Sequence, residues 1–420
     1  MRQEILVIGA GMVGTCTALE LALRGHAVTL LDRRMPGQET SYGNAGVIQR
    51  EAVEPYPMPR KLGFLLSAAL GREPSISYHP SAMLAVLPRL WQYWRASAPA
   101  RHAAISRDYA ALIAHATSEH ARLIKLADAS TLVRREGLRL AFRNHTPFAA
   151  AVQDAARLER QYGIAFHALD STALAHAEPA FHTPLAGAVH WLDSWSVSDP
   201  GKLVERYAAL FQQHGGRFVQ GDGLTLRQRG ARWQADSAEG RIDATHAVVA
   251  LGPWAETLTR RLGYRLPLFV KRGYHRHYAG GPQPMVPILD AERGYVMSPQ
   301  SRGLRITTGA EIARIDAPPT PHQLARAEQS ARQLLDLGTP VESTPWLGSR
   351  PCVADMLPII GGAGLHDKLW FNFGHGHQGF TLGPASARLL ADLIDGAPPF
   401  ISAQGYSPQR FQAGEARPAS

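Results

Sequence analysis

The chain has 420 residues, 45% of them hydrophobic, and a formal net charge of +9. That length exceeds what one core usually supports, so two domains are expected. Two cysteines, Cys16 and Cys352, exclude a disulfide framework, and no run approaches the roughly 20 apolar residues that span a bilayer. With no charged-then-apolar leader before the first strand, a cytoplasmic location is expected. The arginines are scattered in ones and twos, as at 33–34, 134–135 and 260–261. Such scatter argues against a nucleic-acid partner and leaves attraction of an anionic substrate as the use of the charge.

The stretch ILVIGAGMVG organises the beginning of the chain. Residues 5–8 read as a strand buried on both faces, running into Gly9, Gly11 and Gly14 at G-x-G-x-x-G spacing. Gly9 allows the tight turn, Gly11 lets a pyrophosphate approach the backbone, and Gly14 lets the following helix pack on the strand. With Ala10, Met12 and Val13 between them, they aim the N–H groups and positive dipole end of a helix at phosphate. A second strand over 28–31 ends at Asp32, placed to accept hydrogen bonds from a ribose, with Arg33 and Arg34 beside it.

The loop that follows is too rich in Gly, Ser, Asn and Pro for a regular element. It reads either as a plain surface turn or as a cofactor contact through Ser41, Gly43, Asn44, Ala45 and Gly46, leading to Val47. Residues 60–126 read mostly as helices. The apolar 64–70 stretch, flanked by Arg60, Lys61 and Arg72, is read as a core helix in preference to an interfacial anchor. Trp91, Tyr93 and Trp94 are read as core. From 132 to 195, strands and helices alternate without a nameable motif.

At Asp199 and Pro200 a helix start is expected, with Val204, Tyr207, Ala208 and Phe211 on one face. Strands over 217–226, 233–237 and 247–251 then close on Gly252, Pro253 and Trp254, which reads as a return to the nucleotide sheet. A β-rich excursion over 266–308 and a helix over 321–337 precede another return at Trp346. The expected division is a discontinuous Rossmann-like α/β nucleotide unit (1–50, 196–262 and 340–415) and an α+β substrate unit (51–195 and 263–339). An NAD-dependent dehydrogenase, which usually completes its fold in one pass, is disfavoured.

The last constellation is RPCVADMLPIIGG, then KLWFNFG, then GHGHQGFTLGPASARLLADLIDG. A Gly/His turn over 374–379 opens a helix whose N–H groups point at something electron-rich. His375 and His377 read as turn residues in preference to metal ligands, since no other ligand stands at suitable spacing.

Together, VIGAGMVG, SYGNAG, VKRGYH, RPCVADMLPIIG and GHGHQGFTLGPASARLLADLI resemble the FAD-dependent D-amino-acid oxidase family over nearly the whole chain, and within it the bacterial D-amino-acid dehydrogenases. The resemblance implies noncovalent FAD, since Cys352 does not match the flavin-linking cysteine of sarcosine-oxidising relatives. The pyrophosphate would sit at Gly9, Gly11 and Gly14, the ribose at Asp32, and the adenine near the strand leading to Leu224. Gly252 and Trp254 complete that side. The flavin would lie between the 41–47 loop and Gly374, His375, Gly376, Gln378, Gly379, Phe380 and Thr381. Arg350 would bind the substrate carboxylate, with Tyr295 assisting.

Tyr274, His275 and His377 would shape the amine side, the two histidines either taking a proton from the substrate ammonium or only packing on the flavin. The implied reaction moves the α-hydrogen of a D-amino acid to flavin N5 and yields an imino acid, with cyclic substrates such as D-proline or hydroxy-D-proline included. A quinone or partner protein is the implied acceptor in place of oxygen, with peripheral contact at the inner membrane. A glycine or sarcosine oxidase, or a flavoprotein subunit of a heteromeric dehydrogenase, are the alternatives.

Overall fold

A computed structural model describes residues 1–60, 63, 76–79 and 82–411. The 64–70 stretch, Lys61 and Arg72 lie outside the described residues. The first sheet has six strands in the order Arg217–Gln220, Ala27–Asp32, Glu4–Ile8, His246–Val249, Leu369–Phe373, Ile359–Gly362. All neighbours are parallel except the last pair.

Residues 5–8 are no more than 1% exposed because both faces of the sheet are covered. Ile5 and Val7 face the helical side with Val28 and Leu30. Leu6 and Ile8 face a second core with Leu31, Trp233 and Ile242, under the antiparallel strands Arg232–Ser237 and Gly240–Ala244. The strand's period of two therefore serves two apolar cores at once.

On the helical side, Met12–Leu23 packs against Gly379–Asp395 and Pro200–Gln213. The last of these begins as expected: Asp199 Oδ1 accepts from Lys202 N at 2.9 Å and Pro200 occupies the first turn. Three helices, Met83–Ala96, Pro99–Ile113 and Ala116–Leu126, fill the region read as helical. One expectation there is corrected. Tyr93 is buried with Val86 and Leu90, but Trp91 points outward at 58% exposure, stacked on Trp94, because it falls on the opposite face of the same helix.

The second large sheet has eleven strands, with Leu268–Gly280 at its centre, pairing Gly303–Thr308, Ala310–Ile312, Gly338–Pro340 and Trp346–Val353. Trp346–Val353, which the sequence division groups with the nucleotide segments, hydrogen-bonds to 268–275 and so belongs to this sheet. The next strand, Ile359–Gly362, is in the six-stranded sheet. The chain thus crosses between sheets between residues 353 and 359, just after the strand that carries Arg350. The helix expected over 321–337 is shorter, His322–Ala331. Among the described residues no helix is long and apolar enough to cross a membrane, and no cluster of three metal-ligating side chains occurs.

His120 ties three helices together: its ring nitrogens meet Tyr207 Oη at 3.1 Å and Phe380 O at 2.9 Å. Burial lowers its pKa to about 4, so the folded protein holds it neutral. Below about pH 6.5 the unfolded chain takes up a proton that the folded one refuses, a cost of about 2 kcal/mol at pH 5. Stability is therefore fully present above that pH and lost on acidification. We expect Tm to fall between pH 7 and pH 5, with a shallower fall in His120→Gln; equal slopes would remove His120 as a cause.

Candidate active site

A cavity of about 780 Å³ lies between the two sheets, bounded at one end by the first glycine turn and at the other by the Gly/His turn. The first turn is built by close approach. Gly9 has φ +107°, and a Cβ there would stand 2.5 Å from Ala250 O. A Cβ on Gly14 would stand 1.8 Å from Gly9 O, so Gly14 packs the helix on the turn and does not line the cavity. Ala10 is likewise buried off the cavity, its N–H donating to Asp32 Oδ2 at 2.6 Å.

Gly9, Gly11, Met12, Val13, Asp32, Arg33 and Ser41 line the wall, and Met12 N donates to Ser41 Oγ at 2.8 Å. Asp32 also accepts from Arg34 N at 3.1 Å. The Arg34 side chain instead turns outward to Glu39, while the Arg33 guanidinium lies 4.2 Å from the centre of the Trp254 ring. Leu224, Gly252 and Trp254 line the same end, with Leu224 in a short turn, Gly223–Thr225, and not on a strand.

At the other end Asn44, Ala45 and Val47 face Gly374, His375, Gly376, Gly379 and Phe380. Three expected contacts act from behind. Gly46 packs on Val197 and Gln300. Thr381 Oγ1 accepts from Gln49 N at 3.2 Å, and Gln378 Nε2 donates to Gln49 Oε1 at 2.7 Å. Gln49, which has no sequence signature, is the residue that reaches the cavity. It also donates to Glu51 at 2.5 Å, which Ser194 holds from the other side.

Arg350 lies in the cavity wall. Its Nη1 donates to Gly309 O at 2.5 Å and its Nη2 to Thr308 O at 3.0 Å, which fixes the plane of the guanidinium. A Cβ on Gly273 would stand 2.5 Å from Arg350 Nη2, so the glycine of VKRGYH makes room for the arginine. Burial lowers the Arg350 pKa, opposed by Cys352, and no acidic side chain among the described residues pairs with it. The Gly/His turn is pinned to the same strand, with Gly376 N donating to Pro351 O at 2.7 Å and a bridge between Cys352 and His375.

His375 Nε2 is buried at the cavity with no partner among the described residues. His377 faces the cavity next to Tyr56, ring centres 5.1 Å apart; the surrounding protein and the charges of Arg350 and Lys271 lower its pKa. It is a neutral imidazole near pH 7, able to accept a hydrogen bond but too weak a base to keep a proton.

Two expected catalytic residues are elsewhere. Val296 lines the cavity, which puts its neighbour Tyr295 on the opposite face in a core with Met297 and Ile306. His275 stacks on Trp346 at 4.7 Å, and Trp346 lines the cavity in its place. Tyr274 borders the cavity, but its hydroxyl donates to Glu311 Oε2 at 3.0 Å and accepts from Thr320 N at 2.7 Å. Tyr56, Met58, Tyr93 and Tyr109 also line the site. They come from segments with no motif, and the prolines around Tyr56 signal a loop and nothing more.

The donor set fits FAD: a glycine turn and helix N-terminus for a pyrophosphate, an acid at the end of the second strand for a ribose, and a buried unpartnered His375 nitrogen beside the second turn. A family profile described as FAD dependent oxidoreductase, DAO, matches residues 4–393. A D-amino-acid oxidase of Bradyrhizobium diazoefficiens is 30% identical, covering 97% of this chain and 99% of that protein. A D-amino acid dehydrogenase of Cereibacter sphaeroides is 32% identical over 99% of this chain and 98% of that protein. The fold is shared with glycine oxidase from Geobacillus kaustophilus at TM-score 0.74 and 19% identity, covering 97% of this chain and 99% of that one. A glycine turn, a half-buried arginine and a returning Gly/His turn on one cavity thus accompany full-length similarity, and the chain belongs to the DAO family of FAD dependent oxidoreductases, with FAD as its cofactor.

Proposed function

We propose that the protein oxidises D-amino acids to imino acids, holding the substrate by its carboxylate on Arg350. The observation that carries this reading is a half-buried guanidinium in the cavity wall, oriented by two backbone carbonyls, with its remaining N–H donors free of any acidic side chain among the described residues. The full-length relatives named D-amino-acid oxidase and D-amino acid dehydrogenase support the same chemistry. When bound, FAD accepts the α-hydrogen with its electron pair.

The chain's own residues place the substrate. A forked pair between Arg350 and the carboxylate fixes the α-carbon, and a partly dry site strengthens it. His377, neutral, accepts a hydrogen bond from the amine, while Tyr56, whose hydroxyl pKa is pushed up by the surrounding protein and by Glu51, stays an O–H donor. With no strong base in this group, the ammonium proton leaves to water before the α-hydrogen moves. Reoxidation by a quinone or a partner chain, in place of oxygen, belongs to the same proposal.

The test is anaerobic bleaching of the holoprotein by D- and L-amino acids, hydroxy-D-proline, glycine and sarcosine, followed by air. D-amino acids should bleach it, and recolouring should be slow and without peroxide. Reduction only by glycine or sarcosine, or by none of the panel, would overturn the substrate reading. A stoichiometric burst of peroxide would overturn the acceptor.

A further inference from the structure

Arg350 does not stand alone. In the pairing of Trp346–Val353 with Leu268–Gly280, Lys271 is the direct partner of Arg350, and both side chains line the cavity. Directly opposed strand residues are about 5 Å apart, and like charges placed so repel each other.

Lys271 has little to offset this. Its Nζ lies 3.5 Å from Tyr93 Oη, 4.5 Å from the centre of the Tyr93 ring and 5.5 Å from that of Phe269. No carboxylate among the described residues pairs with it. The acids that line the cavity are engaged at its nucleotide end: Asp32 by Ala10 and Arg34, Glu39 by Arg33 and Arg34, and Asp222 by Leu224. Glu51, behind Tyr56, is held by Ser194 and Gln49 and does not reach the wall. Burial, the largest influence, and the neighbouring Arg350 act to lower the Lys271 pKa, Tyr93 and Cys352 act to raise it, and the net shift is upward, so the ammonium stays charged. The substrate end therefore presents two adjacent cations, and one α-carboxylate neutralises one of them.

We propose that Lys271 binds a second carboxylate, so that the preferred substrates are acidic D-amino acids, with the α-carboxylate on Arg350 and the side-chain carboxylate on Lys271. The proposal rests on the functional reading above and adds the substrate class. The aromatic surroundings favour it, since an ammonium against Tyr93 and Phe269 is poorly hydrated and gains more from a charged partner than an exposed lysine would.

The test compares acid and amide. D-glutamate and D-glutamine differ little in shape, as do D-aspartate and D-asparagine. Substrate Kd and the rate of flavin reduction are measured anaerobically for the wild-type holoprotein, Lys271→Met and Lys271→Arg, with FAD content as the control for folding. We expect the wild type to favour acid over amide by about tenfold or more in Kd. That ratio should collapse toward one in Lys271→Met and recover in Lys271→Arg. Anaerobic measurement keeps any effect of Lys271 on reoxidation out of the result. An acid-to-amide ratio that is flat in the wild type, or unmoved in Lys271→Met, overturns this proposal alone. Reduction by no D-amino acid overturns the functional reading and this proposal with it.

Discussion

Arg350→Ala should lower kcat/KM for every D-amino acid by two orders of magnitude or more while leaving FAD bound. Removing one partner of a buried, hydrogen-bonded charge pair costs about 2–5 kcal/mol, and each 1.4 kcal/mol is about tenfold. The loss should appear in both KM and the reduction rate, because the same fork that binds the carboxylate also aims the α-carbon. Arg350→Lys should recover little. A lysine cannot reach Thr308 O, Gly309 O and a carboxylate together, so at least one of two buried carbonyls that now accept from the guanidinium loses its donor. Stopped-flow reduction under argon, with flavin absorbance as the measure of occupancy, separates these effects. A KM within threefold of wild type in Arg350→Ala would mean the carboxylate is held elsewhere.

How far the site could be read from sequence follows from which interactions are local. The first strand, the glycine turn and Asp32 are legible because residues 5–14 carry their own pattern: apolar on both faces, then glycines, of which Gly9 and Gly14 stand where a Cβ would meet backbone. Arg350 is legible only through the resemblance, because the feature that makes it useful, two carbonyls from 308 and 309, comes from another strand. Tyr295 and His275 failed for the same kind of reason. Which face of a strand looks into a cavity depends on its register with its neighbours, and a step of one residue exchanges Tyr295 for Val296. His275 is screened by Trp346, a residue 71 positions later in the chain. Gln378 and Thr381 lie next to genuine cavity residues in sequence, yet they turn away toward Gln49. Lys271 could be seen in the sequence, but its place beside Arg350 exists only in the strand pairing.

The glycine turn offers the second large effect, and two of its residues should respond differently. Gly9→Ala places a side chain at φ +107°, a conformation that costs about 1–3 kcal/mol for a non-glycine residue. It also sets a Cβ 2.5 Å from Ala250 O and 2.8 Å from Ala250 C, backbone atoms just beyond His246–Val249, the parallel neighbour of the first strand. Neither atom can yield without shifting the sheet. We expect a protein that purifies without FAD and melts well below the wild type.

Gly11 is a gentler case. It has φ −73° at the helix N-cap, and the nearest atom to an added Cβ is Ser41 Oγ at 3.2 Å, the end of a small side chain. Gly11→Ala should therefore fold, with the melting temperature of the apoprotein nearly unchanged. The added methyl would stand where a pyrophosphate approaches the backbone, so FAD affinity should fall by tenfold or more, about 1.4 kcal/mol. Titration of each apoprotein with FAD, beside its thermal melt, distinguishes a fold defect from a binding defect. If Gly11→Ala bound FAD as tightly as the wild type, the phosphates would have to lie away from this turn.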